Sequence, residues 1–439
     1  MSKKIAFYTL GCKVNQYETN AMIQHFKQKG YELVNFHEVA DIYIVNTCSV
    51  TNMSDKKSRQ ALRRVKQLNP NSILVVTGCY AQVKKEELKE IKEIDLILGT
   101  NEKNKIVEYV EHLLKSASGP QIEVTDVMQE KEYQEFGSIT YTENTRAVIK
   151  VQDGCDRFCS YCIIPYARGR VRSRNTESIL QEVKQIAKKQ VKEIVITGIH
   201  IASYGKDFKD GTSLIDLLEK LNQIEGIQRI RLGSLEPNLI TSEFVKRLVV
   251  LEKICPHFHL SLQSGCNETL KRMNRRYTTE EFMQAVTLLR ESYPTVLLTT
   301  DVIVGFPGET DEEFKKTYDF LKQVNFYKMH VFPYSPRRGT KAANMPNQIE
   351  GDKKEQRSKK LIELSHQCQQ YYHKSYFGKT VEVLLEEKVG DYYQGHTDNY
   401  LLVRAKSQEN LENQIQQITI QEGTKEQGNL ILQGNVIRL

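Results

Sequence analysis

Short apolar runs alternate with amphipathic stretches over the first hundred residues. The runs Ile5–Leu10, Asp41–Thr47, Ile73–Thr77 and Asp95–Leu98 are rich in β-branched residues and read as strands. Between them, 15–29, 55–68 and 84–92 carry helical periodicity. Strands alternating with helices of this size predict βαβ units around a parallel sheet, a first domain over residues 1–115. Residues 116–144 are polar and have no clear period, so they read as a linker with room for one short strand. A second alternation then begins. Its strands are Arg146–Gln152, Glu193–Thr197, Arg229–Leu232, His257–Leu262, Val296–Val304 and Tyr327–Pro333, and its helices include 177–189, 213–223, 279–290 and 311–324. This series predicts a partial or complete (β/α) barrel over 145–373, with a long polar helix, 349–373, leading out. The tail, 375–439, has five short strands (380–386, 392–397, 400–405, 415–420, 430–437) punctuated by Gly and Asp-Asn, the pattern of a small all-β barrel. The expected fold is therefore α/β, with a parallel α/β domain, a barrel core and a β-barrel tail.

Composition adds a boundary rather than a function. The chain has 439 residues, 39% hydrophobic and 27% charged, which excludes a disordered or collagen-like chain. No window approaches the ~18 consecutive apolar residues of a transmembrane helix. The first residues also lack a secretory apolar stretch. A cytoplasmic protein without a membrane partner is expected. Lys and Arg total 62 against 55 Asp and Glu, a surplus that permits a polyanionic partner without requiring one.

The nine cysteines, an odd number spread along a large chain, argue against a disulfide framework and for metal or catalytic roles. Cys155, Cys159 and Cys162 lie in DGCDRFCSYCIIPYARGR directly after an expected strand. Three thiolates this close suit three irons of a [4Fe–4S] cube and leave the fourth iron open to a small chelating molecule. A structural zinc site needs a fourth ligand that no adjacent Cys or His supplies. This C-x3-C-x2-C motif, with Tyr161 before its last cysteine, resembles the signature of the radical S-adenosylmethionine superfamily. The resemblance implies that the cofactor chelates the open iron and is cleaved reductively to a 5′-deoxyadenosyl radical. It also implies an external electron donor such as flavodoxin or ferredoxin. Chemistry in a (β/α) barrel sits at the C-terminal strand ends. The residues expected there to bind the cofactor are Tyr161, Gly198, Ser234, Glu236, Gln263, Arg276, Gly305 and Phe332.

A second cysteine set is dispersed. Cys12, Cys48 and Cys79 occur in YTLGCKVN, IVNTCSVT and VVTGCYAQ, each between an expected strand and helix. In a parallel sheet these turns share one edge, so three distant thiols converge. With both sets, the chain resembles the methylthiotransferases, whose pattern is a three-cysteine domain, a radical SAM core and a C-terminal TRAM barrel. GCKVNQYET, NTCSVT, GCYAQ and GHTDNY are most similar to the members that modify N6-threonylcarbamoyladenosine in tRNA. The resemblance assigns Cys12, Cys48 and Cys79 to an auxiliary [4Fe–4S] cluster and Cys155, Cys159 and Cys162 to the radical cluster. It implies two S-adenosylmethionines per turnover, one methylating the sulfur and one generating the radical that activates C2 of the adenine. No catalytic residue beyond the cluster ligands is expected. Alternatives are the same chemistry on isopentenyladenosine tRNA or on ribosomal protein S12, and a non-catalytic iron–sulfur regulator that binds RNA.

Basic residues supply the expected RNA contacts. Arg168, Arg170, Arg172 and Arg174 alternate after the cysteine loop and would share one face of an extended segment. Lys56, Arg59, Arg63 and Lys66 form a stripe at helical spacing behind Cys48. The tail carries Tyr392, Tyr393, His396 and Tyr400 with Arg404 and Lys406, and is expected to act as a separate RNA grip.

Overall fold

The computed structural model describes residues 2–115, 120–141, 145–426 and 429–437. The first domain is a parallel sheet in the order β2-β1-β3-β4-β5-β6, with β1 Lys4–Thr9, β2 Glu32–Val34, β3 Ile42–Thr47, β4 Ile73–Gly78, β5 Leu96–Leu98 and β6 Gln121–Glu123. Every residue of β3 is buried, as expected for a central strand covered on both faces. The segment read as a linker thus begins as the edge strand of this sheet. Further on, its Phe136 and Ile139 pack against Tyr17 and Ala21 of the helix Lys13–Gln28. Residues 116–119 and 142–144 of that segment lie outside the described residues.

The second series forms two sheets. One has the order β10-β9-β7-β8, with β7 Arg146–Asp153, β8 Arg172–Ser173, β9 Glu193–Gly198 and β10 Arg229–Leu232. The other is β11 His257–His259, β12 Leu297–Val304 and β13 Lys328–Pro333. Single bridges, Ile230 to Ile254 and Leu235 to Leu260, join β10 to the β11 region. The result is an open, partial (β/α) barrel. Ala147, Ile149 and Val151 of β7 face the helix Thr176–Lys188, and the alternate residues turn toward the barrel interior and the first domain.

The helix Gly351–Lys374 leads to a closed barrel of β14 Thr380–Val389, β15 Tyr392–Thr397, β16 Leu402–Lys406, β17 Gln414–Glu426 and β18 Asn429–Val436. This barrel is docked rather than separate, which corrects the expectation of an independent module. Arg229 Nη1 donates to His396 O at 3.0 Å, and Arg231 Nη1 donates to Asp398 O at 2.8 Å. Asn399 Nδ2 donates to Thr295 O at 2.8 Å. His257 stacks on Tyr400, which also stacks on His396. The GHTDNY turn therefore closes the floor of the (β/α) barrel, and Tyr393 fills the small barrel's own core. Of the tail residues expected to meet RNA, Tyr392, Arg404 and Lys406 remain on its outer face. Among the described residues, no helix is long and apolar enough to cross a membrane.

Candidate active site between two cysteine triads

Cys12, Cys48 and Cys79 follow β1, β3 and β4, which are neighbours in the sheet. The chain reverses tightly at two of these turns. Gly11 has φ +112°, and an added Cβ would lie 2.9 Å from Cys48 Cβ. Gly78 has φ +101° and sits against the backbone of Thr47. Burial, with Cys79 alongside, raises the Cys48 thiol to about 12. Cys155 rises to about 11 and Cys162 to about 12, both mainly through burial. As free thiols these stay protonated at neutral pH, so iron binding releases a proton at each. Among the described residues, no group of His, Cys, Asp or Glu is arranged to hold a single metal ion.

The second triad is built by β7 and the loop behind it. Gly154 ends the strand at φ +73°, where any Cβ would collide with Arg170 O at 1.7 Å. Cys155 N donates to Gly169 O (3.0 Å), Ser160 N to Met273 O (3.0 Å), and Cys162 N to Cys159 O (2.9 Å). Arg275 Nη1 donates to Cys159 Sγ at 3.3 Å. Glu236, at the end of β10, binds three cationic or donor groups: Arg157 at 2.5 Å, His200 Nε2 at 3.1 Å and Arg275 at 3.3 Å. Burial opposes its charge, but His200, together with Arg275 and Arg157, outweighs it and holds the carboxyl at about 2.

A cavity of about 310 Å³ lies between Cys162 and the turn that follows Cys48. Val50 and Thr51, just past Cys48, cover it from the first domain; Cys162, Gln263, Asp301 and Phe332 form its other walls. Tyr161 packs edge-on against Phe306, behind the turn that starts at Gly305. The domains are pinned beside the cavity by Arg337, whose guanidinium donates to Ser49 Oγ and Asp55 Oδ2 at 2.6 Å and to Asn52 Oδ1 at 2.7 Å.

The Radical SAM superfamily profile matches residues 149–321, and that of Uncharacterized protein family UPF0004 matches residues 4–99. The chain is 42% identical over 421 residues to the threonylcarbamoyladenosine tRNA methylthiotransferase MtaB of Bacillus subtilis, covering 95% of this chain and 93% of that one. The chain belongs to the radical SAM methylthiotransferase family. The corresponding MtaB of Aquifex aeolicus is 44% identical over 88% of this chain and 93% of its own. A tRNA-2-methylthio-N(6)-dimethylallyladenosine synthase of Thermoanaerobacter is 38% identical over 86% and 81%. Among solved structures, the radical S-adenosylmethionine methyltransferase TsrM from Kitasatospora setae shares the fold, with TM-score 0.57 and 15% identity over 75% of this chain and 73% of that one.

In this methylthiotransferase the residues expected to bind cofactor divide. Gln263 and Phe332 line the cavity with Tyr161. Glu236 reaches the radical triad through Arg275, and Ser234 lines a second cavity below. Gly198 and Gly305 occupy strand ends. Arg276 stands apart from these: its side chain is exposed and its carbonyl accepts from Asn238, whereas the neighbouring Arg275 turns inward to Cys159. Three expected RNA contacts are corrected. Arg168, Arg172 and Arg174 are at most 2% exposed. Arg168 ends a short helix rather than lying in an extended run, and it binds Glu18 and Asn15. Arg174 binds Glu182 at 2.8 Å, and Arg172 Nη2 donates to Arg168 O. Arg170 alone of the four is exposed, beside Asp156 and over the Phe158 ring. In the other stripe Lys56 and Arg63 are exposed, while Arg59 pairs with Glu87 and Lys66 with Asp95. Sequence reasoning missed Arg275, Arg157, Arg337 and Lys103, which carry no motif of their own.

Proposed function

We propose that the chain methylthiolates C2 of the adenine in N6-threonylcarbamoyladenosine next to the anticodon of tRNA, giving 2-methylthio-N6-threonylcarbamoyladenosine. The observation that carries this reading is the cavity bounded on one side by residues next to Cys48 and on the other by Cys162. The chain's likeness to the two threonylcarbamoyladenosine tRNA methylthiotransferases supports the choice of base.

Cys12, Cys48 and Cys79 would hold one [4Fe–4S] cluster, and Cys155, Cys159 and Cys162 the other. With S-adenosylmethionine, two per turnover, these groups supply the radical and the methylated sulfur. The chain's own part is positioning and exclusion of water. Arg275 directs an N–H at Cys159, and Glu236 holds Arg275, Arg157 and His200 in place. Tyr161, backed by Phe306, and the Val50–Thr51 turn form walls of the cavity and limit the room for water beside a reactive intermediate. Gln263 and Asp301 offer the base polar groups on the barrel side. Arg170, Lys56 and Arg63 are the exposed cations placed to meet tRNA phosphates, and a flavodoxin or ferredoxin would supply electrons.

Mass spectrometry of tRNA nucleosides from cells lacking the protein tests the reading. The expected result is loss of the 2-methylthio nucleoside with accumulation of N6-threonylcarbamoyladenosine. Loss of the methylthio-isopentenyl nucleoside instead would overturn it.

A further inference from the structure

Beneath the cavity of the active site lies a second one, of about 380 Å³, inside the (β/α) barrel. All three parts of the chain line it: Lys13 from the first domain, Arg231, His257 and His330 from barrel strands, and Tyr400 from the tail. The lining includes three cationic side chains, Lys13, Arg231 and Lys328, and no carboxylate. The nearest acids pair with residues of this lining. Glu193 binds Arg231 at 2.8 Å, and Asp301 faces His259 at 3.3 Å. Among the described residues, neither Lys13 nor Lys328 has an ion-pair partner. His257 is 7% exposed, and its Nδ1 has no hydrogen-bond partner. Burial by itself raises the Tyr400 phenol, yet Arg146, Lys13 and Arg231 hold it below the ordinary tyrosine value, which reports a positive field at the cavity. A cation-rich pocket that leaves a buried ring nitrogen without a partner suits an anion.

The two cavities are stacked along the same strands. Thr299 of β12 and His330 of β13 line the lower one; two residues on, Asp301 and Phe332 line the upper. Residues two apart on a strand share a face and lie about 7 Å from one another. A group a few bonds long, reaching down from a base in the upper cavity, spans that distance. A terminal carboxylate on such a group would meet Lys13 and the unpartnered ring nitrogen of His257.

Resting on the function proposed above, we infer that Lys13, His257 and His330 form a carboxylate site that takes the threonyl carboxylate of the substrate's N6 arm. The same lining would leave an isopentenyl arm, which has no charge, facing unpaired cations. The site thus separates the two classes of base by the penalty of unpaired polar groups.

The test uses full-length, reconstituted protein: wild type, Lys13→Met, Lys13→Arg and His330→Leu. Anticodon stem-loop RNAs carry N6-threonylcarbamoyladenosine, isopentenyladenosine or plain adenosine at the same position. Wild type should bind the first about tenfold more tightly than the third, the scale of one charge-assisted hydrogen bond. Lys13→Met and His330→Leu should erase that preference and leave plain-adenosine RNA unaffected; Lys13→Arg should keep most of it. Iron content measured on each variant shows that the clusters are intact. Free N-carbamoylthreonine, titrated by calorimetry, reads the site independently of RNA and of the reaction. If it binds wild type and not Lys13→Met, while the RNAs are bound equally, the anion site stands and the substrate arm is overturned as its occupant. No binding of N-carbamoylthreonine together with equal RNA affinities overturns the site altogether. The nucleoside analysis above fails or succeeds separately from either result.

Discussion

Arg168 donates its Nε–H to Cys79 Sγ over 3.4 Å, linking the cysteine loop of the barrel to a thiol of the first domain. The same guanidinium binds Asn15 Oδ1 at 2.7 Å and Glu18 through both terminal nitrogens. Glu18 also takes Lys103 and Lys150, so one fully buried carboxylate gathers cations from both domains. The attraction of three cations outweighs its burial and holds it well below the usual carboxylate range.

Replacing Arg168 by Met should act in two ways. Removing one member of a buried ionic cluster costs about 3–5 kcal/mol, read as a lowered unfolding midpoint. It also removes a cationic N–H from a cluster sulfur, which should make the auxiliary cluster harder to reduce. An EPR-monitored redox titration in a Cys155→Ala, Cys159→Ala, Cys162→Ala background isolates that cluster. A midpoint potential unmoved by the substitution would show that the contact does not reach it.

The two triads should fail differently. Fully loaded protein should hold about eight irons, and changing either triad to Ala should leave about half. Without Cys12, Cys48 and Cys79, S-adenosylmethionine should still yield 5′-deoxyadenosine, with no sulfur transferred. Without Cys155, Cys159 and Cys162, neither product should form. Methylthiolation surviving the first triple substitution would remove the auxiliary site from the reaction.

Glu236 should make stability depend on acid. Its folded value, about 2, lies below the roughly 4.3 of a free glutamate. A depressed carboxylate stabilises the fold above the unfolded value, and that contribution fades as pH falls from about 4.5 through about 2. The shift corresponds to roughly 2–4 kcal/mol. Urea midpoints of cluster-free wild type and Glu236→Gln should differ most at pH 7 and converge toward pH 3. A gap constant across this range would place the Glu236 effect in packing rather than charge.

Deleting residues 375–439 should do more than weaken tRNA binding. Arg229 and Arg231 lose their tail acceptors, and the barrel floor opens at His257. The expected outcome is a lower melting temperature and slower S-adenosylmethionine cleavage even without RNA. If Arg404 and Lys406 also contact phosphates, the salt dependence of tRNA binding should lose about 0.7–0.9 of slope per contact. Unchanged cleavage in a stably folded truncation would restore the picture of an independent module.

The two cysteine triads were legible for different reasons. Cys155, Cys159 and Cys162 lie within eight residues, so their meeting is nearly imposed by the chain. Cys12, Cys48 and Cys79 are far apart, but alternation of strands and helices placed each at a strand's C-terminal end, and parallel pairing of β1, β3 and β4 did the rest. The helix 311–324 was readable to the residue because Thr310 and Glu313 cap it locally.

The basic residues were not legible in this way. Arg168 looked like a phosphate contact because charge with local alternation suggests an exposed face. Its partner Glu18 lies 150 residues away, and only the docking of the two domains makes burial of that arginine favourable. Arg275 and Arg276 are equivalent in sequence, and the turn after the helix Asn267–Arg272 decides which one meets Cys159. The tail motif GHTDNY is punctuation in the sequence and a plug in the fold. By itself, the sequence determined the main elements, their order and where each cysteine falls relative to a strand end, because these follow from periodicity and spacing along the chain. Tertiary structure decided which charges are buried, which cavity they line and how the three parts close on one another, because each of those depends on partners brought together only by long-range packing.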